Sequence, residues 1–258
     1  MNVSAAGLRV LVTAGAAGIG RVIATTFADA GASVFVCDVN AAALSDLLAS
    51  YPRVGVTTTD VSVPEQVDSM FSSAVSHLGG LDVLVNNAGI AGPTAKIEDI
   101  SEVEWERTIA VDLNSMFFCT RRAVPLLKAA GGGSIVNLSS IAGRLGYPLR
   151  TPYSAAKWGV IGFSKSLAIE LGPSNIRVNA ILPGVVEGDR VDRVVRARAE
   201  ALGVGVEESH ERFVAPISLR RMVRAQDIAD MALFLTTPSG QNISGQALSV
   251  CGDHGMIA

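Results

Sequence analysis

Tyr153 and Lys157 lie four residues apart in a stretch whose pattern predicts a helix over Tyr153–Leu171. That spacing puts both side chains on one helix face. The pairing suits acid–base work. A free phenol ionises only near pH about 10, and an ammonium beside it favours the phenolate. Such a phenol can take a proton from an alcohol or return one to a carbonyl. A lone Tyr-x-x-x-Lys is common, and a half-buried aromatic beside a solvated lysine explains most cases. Two further groups add weight. Ser140 lies 13 residues before Tyr153, at the end of a predicted strand Ser134–Ser139, where its hydroxyl would hold a substrate oxygen. Ser139 competes for that role, and strand alternation decides which hydroxyl points inward. Asn114 falls inside a predicted helix over Glu102–Ala130, where an amide is out of place. It would anchor a water that relays protons past Lys157, or else make a local hydrogen bond in a bent helix.

These residues need a scaffold. Apolar runs of strand length alternate with longer helical stretches. Strands are expected at Leu8–Thr13, Ser33–Asp38, Val54–Thr58, Leu81–Asn86, Ser134–Ser139, Arg177–Leu182 and Ala247–Val250. Helices are expected at Gly18–Ala30, Ala41–Ser50, Pro64–His77, Glu102–Ala130, Tyr153–Leu171 and Ala225–Leu235, with Pro125 kinking or ending the fourth. Runs such as Val10-Leu11-Val12 and Val83-Leu84-Val85 suit strands buried on both faces. The alternation predicts an α/β fold: a doubly wound parallel sheet with helices on both faces and ligands at the carboxyl ends of its strands. No linker or repeat divides the 258 residues, so a single domain is expected. One segment, 184–216, breaks the pattern and is expected to act as a lid.

The first strand runs into Thr13-Ala14-Gly15-Ala16-Ala17-Gly18-Ile19-Gly20, and a helix follows. Glycines there let the backbone approach a pyrophosphate, and the helix N-terminus offers N–H groups to that anion. Gly15, Ala17, Gly18, Ile19 and Gly20 are therefore candidate cofactor contacts. The second strand ends in Asp38, 18 residues after Gly20. A carboxylate at that place accepts hydrogen bonds from both hydroxyls of an adenosine ribose and repels a 2′-phosphate, which favours NAD over NADP. Asp38 as a mere turn residue before Asn40 is the plainer alternative. Asp60-Val61 after the third strand would flank an adenine. Asn86-Asn87-Ala88-Gly89 after the fourth would bridge strands and admit a cofactor ribose.

Composition excludes other classes. Apolar residues reach 49%, yet no run of about 18 uncharged apolar residues occurs, so no membrane helix is expected. No basic leader precedes the first apolar run, which argues against a signal peptide. A net charge of −3, from 21 basic and 24 acidic residues, leaves no footprint for nucleic acid. Cys37, Cys119 and Cys251, and His77, His210 and His254, are scattered and form no disulfide framework or metal cluster. A cytoplasmic location fits these readings.

Taken together, the motifs resemble the short-chain dehydrogenase/reductase family from Leu8 to about Val250. The family pattern has a Thr-Gly-x-x-x-Gly-x-Gly turn, an Asn-Asn-Ala-Gly, an Asn in the fourth long helix, a Ser and a Tyr-x-x-x-Lys. Here these correspond to Thr13–Gly20, Asn86–Gly89, Asn114, Ser140, Tyr153 and Lys157, and Pro183-Gly184 matches the Pro-Gly under the nicotinamide. The resemblance implies a seven-stranded Rossmann-type sheet, cofactor contacts from Tyr153, Lys157, Pro183 and Gly184, and a homotetramer with one interface built from the two longest helices. Three departures stand out. Ala14 replaces the first glycine of the turn. Gly188 stands where relatives often carry a threonine that binds the nicotinamide amide, which shifts that contact to the backbone near Val185. Cys251-Gly252-Asp253 replaces an Asp-Gly-Gly.

The family implies alcohol and ketone substrates. Arg150 precedes Tyr153 by three residues, and Arg190, Arg193, Arg196, Arg198 and Arg221 follow the Pro-Gly. Arginine is suited to bidentate carboxylate binding. The arrangement is similar to a branch of the family that includes cytosolic-type 3-hydroxybutyrate dehydrogenase. By that similarity Arg150, Arg190 and Arg221 would grip a hydroxy acid or sugar acid. The arginines would otherwise form a solvated face paired with Glu187, Glu200, Glu207 and Glu208. Two rivals remain: a 3-oxoacyl-thioester reductase using NADPH, against which Asp38 argues, and a non-catalytic NAD-binding regulator, against which the Ser140, Tyr153 and Lys157 set argues.

Overall fold

The computed structural model describes residues 4–255. Seven strands form one parallel sheet: β1 (Arg9–Thr13), β2 (Ser33–Asp38), β3 (Gly55–Thr58), β4 (Val83–Asn86), β5 (Gly133–Leu138), β6 (Ile176–Pro183) and β7 (Ala247–Val250). Their order is β3-β2-β1-β4-β5-β6-β7. The chain steps outward from β1 to β3, then crosses back to β4 on the other side of β1. The carboxyl ends of β1 and β4 thus flank a crevice where a ligand can enter. Register is continuous across the centre, with Leu11 opposite both Phe35 and Leu84.

The strands alternate inside their apolar runs. Val10, Val12, Val83 and Val85 pack on one face with Ile23 and Phe27 of α1 (Gly18–Asp29), Leu47 of α2 (Ala41–Ser50) and Ile228 and Leu235 from a later helix. Leu11, Leu84 and Ile135 pack on the other face with Met70 and Phe71 of α3 (Pro64–Leu78). Burial on both faces explains the uninterrupted hydrophobicity of the central strands. Each fully buried side chain of this size contributes about 1.5–3 kcal/mol of transfer free energy.

Local signals set the helix ends. Asn40 caps α2, its side chain accepting from the Ala43 N–H at 3.1 Å. Pro64 opens α3, and Gly79 closes it with φ of 75°. Ser101 and Glu104 form a reciprocal capping box at the start of α4 (Glu102–Ile109).

The helix expected over Glu102–Ala130 is not regular. Residues Ala110–Asn114 form a π-helical turn, after which α5 (Ser115–Ala129) resumes. Pro125 lies inside α5 and does not end it. The irregularity therefore falls at the residues facing the site, which is where single π turns commonly occur.

Helix α6 (Thr151–Leu171) starts two residues earlier than expected. The segment 184–216 is ordered as two helices, α7 (Asp189–Leu202) and α8 (Val206–Val214). Val185, Val191, Val195, Phe213 and Ile217 form their own small apolar cluster there. Gly188 begins α7 at φ of 128°, a conformation a threonine would resist. Helix α9 (Ala225–Thr236) precedes β7. Among the described residues, no helix is long and apolar enough to cross a membrane.

Candidate active site

The nucleotide end of the crevice is held by Thr13 and Asn87. The Thr13 hydroxyl accepts from the backbone N–H groups of Asn87 and Ala88, both at 3.0 Å. The Asn87 amide donates to the carbonyls of Thr13 at 2.9 Å and Ala14 at 3.0 Å. The end of β4 and the glycine turn are thereby one rigid unit. Gly20 is a steric necessity: a Cβ there would sit 2.1 Å from the Ala14 carbonyl oxygen and 2.4 Å from the Asn87 amide. Gly15 is packed against Val36, at 2.8 Å for the same imagined Cβ. Gly18 differs, with φ of 53° and open space where a Cβ would go. Ala14 keeps the turn in spite of its side chain by adopting φ of 49°.

Ala17 precedes α1 without any side-chain cap, so the first N–H groups of that helix, at Gly18, Ile19 and Gly20, have no intrahelical partner. They face the crevice with the positive end of the helix dipole. Asp38 stands half-buried at the end of β2, its carboxylate accepting from the N–H of Ala16 at 3.1 Å and of Asn40 at 3.0 Å. Those bonds fix the carboxylate beside the turn. Asp60 is more heavily used: it accepts from the backbone and hydroxyl of Ser62 and from Arg107 of α4 at 3.1 Å. Its neighbour Val61 is buried. The shape and chemistry of these groups fit a dinucleotide: an open glycine, unpaired N–H donors and a ribose-height carboxylate.

At the other end, α6 and the end of β5 bring Tyr153, Lys157 and Ser140 together. Lys157 is buried, its ammonium donating to the Leu138 carbonyl at 3.0 Å and lying 5.7 Å from the Tyr153 ring centre. Ser139 and Ser140 separate cleanly. The Ser139 hydroxyl donates to the Lys157 carbonyl at 2.7 Å, a structural bond that ties β5 to α6. The Ser140 hydroxyl accepts from the Ala142 N–H at 3.1 Å, which leaves its proton free for a substrate oxygen. Tyr153 packs against Ile141, Ala142 and Cys251. Cys251 also fills the space behind Gly184, whose imagined Cβ would lie 2.7 Å from the Cys251 Cα. The unusual Cys251-Gly252-Asp253 thus backs the site, and Asp253 ties it to Ser218 at 2.7 Å. Val185 gives its carbonyl to the Val223 N–H at 2.8 Å.

Asn114 does not join this group. Its side chain is exposed at the end of the π turn. The residue that faces Lys157 is Asp112, fully buried, with one carboxylate oxygen accepting from the Ile90 N–H at 2.7 Å and the other 4.0 Å from the Lys157 ammonium. Burial pushes the Asp112 carboxyl above the usual carboxylate range, against the pull of Lys157. The expected role for Asn114 is corrected for a geometric reason. Thr108, Asp112, Ser115, Met116 and Cys119 are buried along one helix face, whereas Asn114 shares its side with exposed Phe117 and Arg121. That three-to-four spacing was the signal that could have found Asp112.

The arginines divide as well. Arg150 is 3% exposed, donates to the Ala91 carbonyl, and lies 4.8 Å from the Tyr153 ring centre and 5.1 Å from that of Tyr147. Arg190 donates to the Gly89 carbonyl at 3.2 Å and approaches the Tyr153 ring at 5.9 Å. Arg198, also buried, flanks Tyr147 and Phe213 at 5.9 and 5.8 Å. Arg221 is exposed near Asp227 at the start of α9 and is not brought to the site. A cavity of about 430 Å³ opens between loop residues 89–92 and α7, lined by Arg190, Arg193 and Val194 with no acidic side chain. Among the described residues no ion pair joins any of these arginines to a glutamate, and Glu208 pairs instead with Arg212. Tyr147 packs in the same small cluster as Tyr153, and nothing in its local sequence marks it as a neighbour. Among the described residues, no group of three or more His, Cys, Asp or Glu could hold a metal ion.

Comparison with known proteins agrees with this geometry. A family model described as enoyl-(acyl carrier protein) reductase matches residues 14–256. A probable galactose dehydrogenase of Rhizobium meliloti is 38% identical over 94% of this chain and 93% of its own. An actinorhodin polyketide ketoreductase solved with NADPH superposes with a TM-score of 0.92 at 31% identity, covering 99% of this chain and 98% of its own. A 7α-hydroxysteroid dehydrogenase, solved with NADH and 7-oxo glycochenodeoxycholic acid, gives 0.90 at 31% identity, covering 100% and 97%. These relatives are named as dehydrogenases and a ketoreductase, and the two solved structures hold NADPH and NADH. By sequence, fold and site alike, the chain belongs to the short-chain dehydrogenase/reductase family.

Proposed function

We propose that the protein is an NAD-linked dehydrogenase that interconverts a secondary alcohol and a ketone on a substrate bearing a carboxylate. The observation that carries the substrate reading is charge. Arg150 and Arg190 lie 4.8 and 5.9 Å from the Tyr153 ring, and the neighbouring cavity is lined by arginines without an acidic residue. A carboxylate there would meet the exposed guanidinium groups of Arg190 and Arg193 at the mouth of the site, and hydrogen bonds between charged partners are the strong ones. That one structural relative was solved with a bile acid is in keeping with an anionic substrate.

Asp38 supports the cofactor reading. Its carboxylate is fixed beside Ala16, where a ribose hydroxyl would be accepted and a 2′-phosphate repelled. Bound NAD would supply the hydride chemistry. Gly15, Ala17, Gly18, Ile19 and Gly20 would cradle its pyrophosphate; Val61 would border the adenine, with Asp60 holding that loop. Asn87, Ala88 and Gly89 would border the ribose, and Pro183, Gly184 and Val185 the nicotinamide. Ser140 would donate to the substrate oxygen. Tyr153 would take the hydroxyl proton in oxidation and return it in reduction. Lys157 would favour the phenolate and hold the nicotinamide ribose.

The segment 184–216 would act as the lid, since α7 carries Arg190 and Arg193 over the cavity. A homotetramer would cover the apolar side chains exposed on α4, α5 and α6, among them Val103, Phe117 and Ile169. The test is turnover of hydroxy acids, sugar acids and neutral secondary alcohols with NAD and NADP side by side. Faster NAD-linked oxidation of the acids supports the reading. Equal rates on neutral alcohols, or a preference for NADP, would overturn its substrate or cofactor half.

A further inference from the structure

Asp112 is an unusual neighbour for a catalytic lysine. Its side chain is fully buried, and its second oxygen has no hydrogen-bond donor among the described residues. The nearest cation is Lys157, 4.0 Å away. The charges that face it come from two elements: Lys157 from within α6 and Arg150 at its N-cap, and Arg190 from α7. The titratable Tyr153 stands beyond Lys157 on the same helix. Gly89 makes room for the pair. A Cβ at that position would approach the Lys157 ammonium at 3.2 Å and the Asp112 carboxylate at 3.3 Å. The π turn over Ala110–Asn114 aims the carboxylate inward, and the Ile90 N–H fixes it.

A buried carboxylate that close to an ammonium changes what the ammonium does to a third group. Lys157 alone favours the phenolate of Tyr153, and a negative charge beside Lys157 opposes that effect. We infer that Asp112 is the counter-charge to Lys157, a positioning residue that holds the ammonium within the fold and sets the pH at which Tyr153 can accept a proton. An amide at position 112 could accept from the same Ile90 N–H but could not carry the charge. This inference rests on the reading of Tyr153 and Lys157 as the acid–base pair, and the experiment separates the two.

The rate of alcohol oxidation is measured from pH 5 to 10 for the wild type, Asp112→Asn and Tyr153→Phe. Removing the negative charge favours the phenolate, so the acidic limb of the Asp112→Asn profile moves to lower pH by about one unit. A limb that stays in place, with Tyr153→Phe inactive, overturns the inference and leaves the acid–base pair standing. An active Tyr153→Phe overturns the pair itself. A second readout needs no turnover. The folded-state carboxyl is raised by burial, so its contribution to stability is present at acid pH and is lost as pH rises through its folded value. The melting temperature of Asp112→Asn therefore gains on the wild type as pH rises from about 4, and the gap stops widening once the carboxyl is ionised, within the pH range where the enzyme turns over. A gap that still widens at pH 9 means that Asp112 stays protonated, which also overturns the inference. Asp112→Ser, which keeps an acceptor for the Ile90 N–H, replaces the amide variant if the latter does not fold.

Discussion

The turn at Thr13–Gly20 and the pocket around Tyr153 lie at the carboxyl ends of strands in the same sheet, yet they are built by different means. At the turn, the groups that would hold a ligand are backbone N–H donors, and side chains such as Thr13 and Asn87 serve only to fix the backbone. Around Tyr153 the groups are side chains, and most are charged: Lys157, Asp112, Arg150 and Arg190. Backbone recognition leaves no room for added atoms at Gly15 and Gly20, and its charge comes from N–H dipoles that no substitution removes. Side-chain recognition tolerates changes of size and is governed by charge. On the function proposed above, one end would read a shape common to all dinucleotides, and the other a particular substrate.

Substitutions can break that contrast. The largest effect is expected at the turn. Gly20→Val places atoms into the Ala14 carbonyl and the Asn87 amide. Overpacking of this kind costs about 1–3 kcal/mol, a fall of roughly 2–12 °C in melting temperature. Binding of NAD, followed by quenching of protein fluorescence, is lost as well. A variant that binds NAD with wild-type affinity would show that the turn is not the pyrophosphate site.

Next is Arg150→Met, which keeps the bulk and removes the charge. Loss of a charged hydrogen bond of about 1.5–3 kcal/mol lowers kcat/KM for acidic substrates roughly 10–150-fold. Neutral alcohols are affected far less. Equal losses on both classes would mean that Arg150 supports the fold through its bond to Ala91 and does not read the substrate.

Asp38→Ser sharpens the contrast at the one point where the turn does use charge. The preference for NAD over NADP, taken as a ratio of kcat/KM values, is expected to shrink by about tenfold or more. An unchanged ratio would make Asp38 a cap for the turn through its bonds to Ala16 and Asn40 and nothing else.

The smallest effect lies outside both ends. Arg9 and Asp82 form a part-buried pair with bonds of 2.8 Å, and the Arg9 hydrogen bond holds the Asp82 carboxyl below the usual carboxylate range. A depressed carboxyl contributes stability above its unfolded value, and that contribution is lost as pH falls through the folded value. The melting temperature of Asp82→Asn should lie below the wild type at pH 7 and converge with it towards pH about 3. A constant gap would show that the pair acts through packing alone.

The sheet and the turn were legible in the sequence because each is dictated locally. Val10-Leu11-Val12 can be satisfied only between two helical layers, and Gly20 can be replaced by nothing larger. Asp38 was legible for the same reason, as the last residue of a strand beside that turn. The Tyr153 pocket was only half legible. Tyr153 and Lys157 announce themselves by spacing, but Arg198 and Tyr147 meet across some 50 residues of chain, and no local pattern links them. Asp112 was missed because two polar residues stand close together in one helix. Only the phase of the buried face, shifted by a π turn, tells which one points inward. The arginines show the same limit. Their number suggested an anion site, but which of them approach Tyr153 depends on how α7 and the start of α6 pack, and Arg221 does not.

The proposed reaction depends most on Tyr153 as the acid–base residue, and Tyr153→Phe is the direct test. It removes one oxygen from a half-buried ring and leaves the contacts with Ile141, Ala142 and Cys251 in place. With NAD and the best acidic substrate, kcat should fall roughly 10²–10⁴-fold, with NAD affinity and melting temperature close to wild type. A folded Tyr153→Phe enzyme that turns over at the wild-type rate would contradict the account.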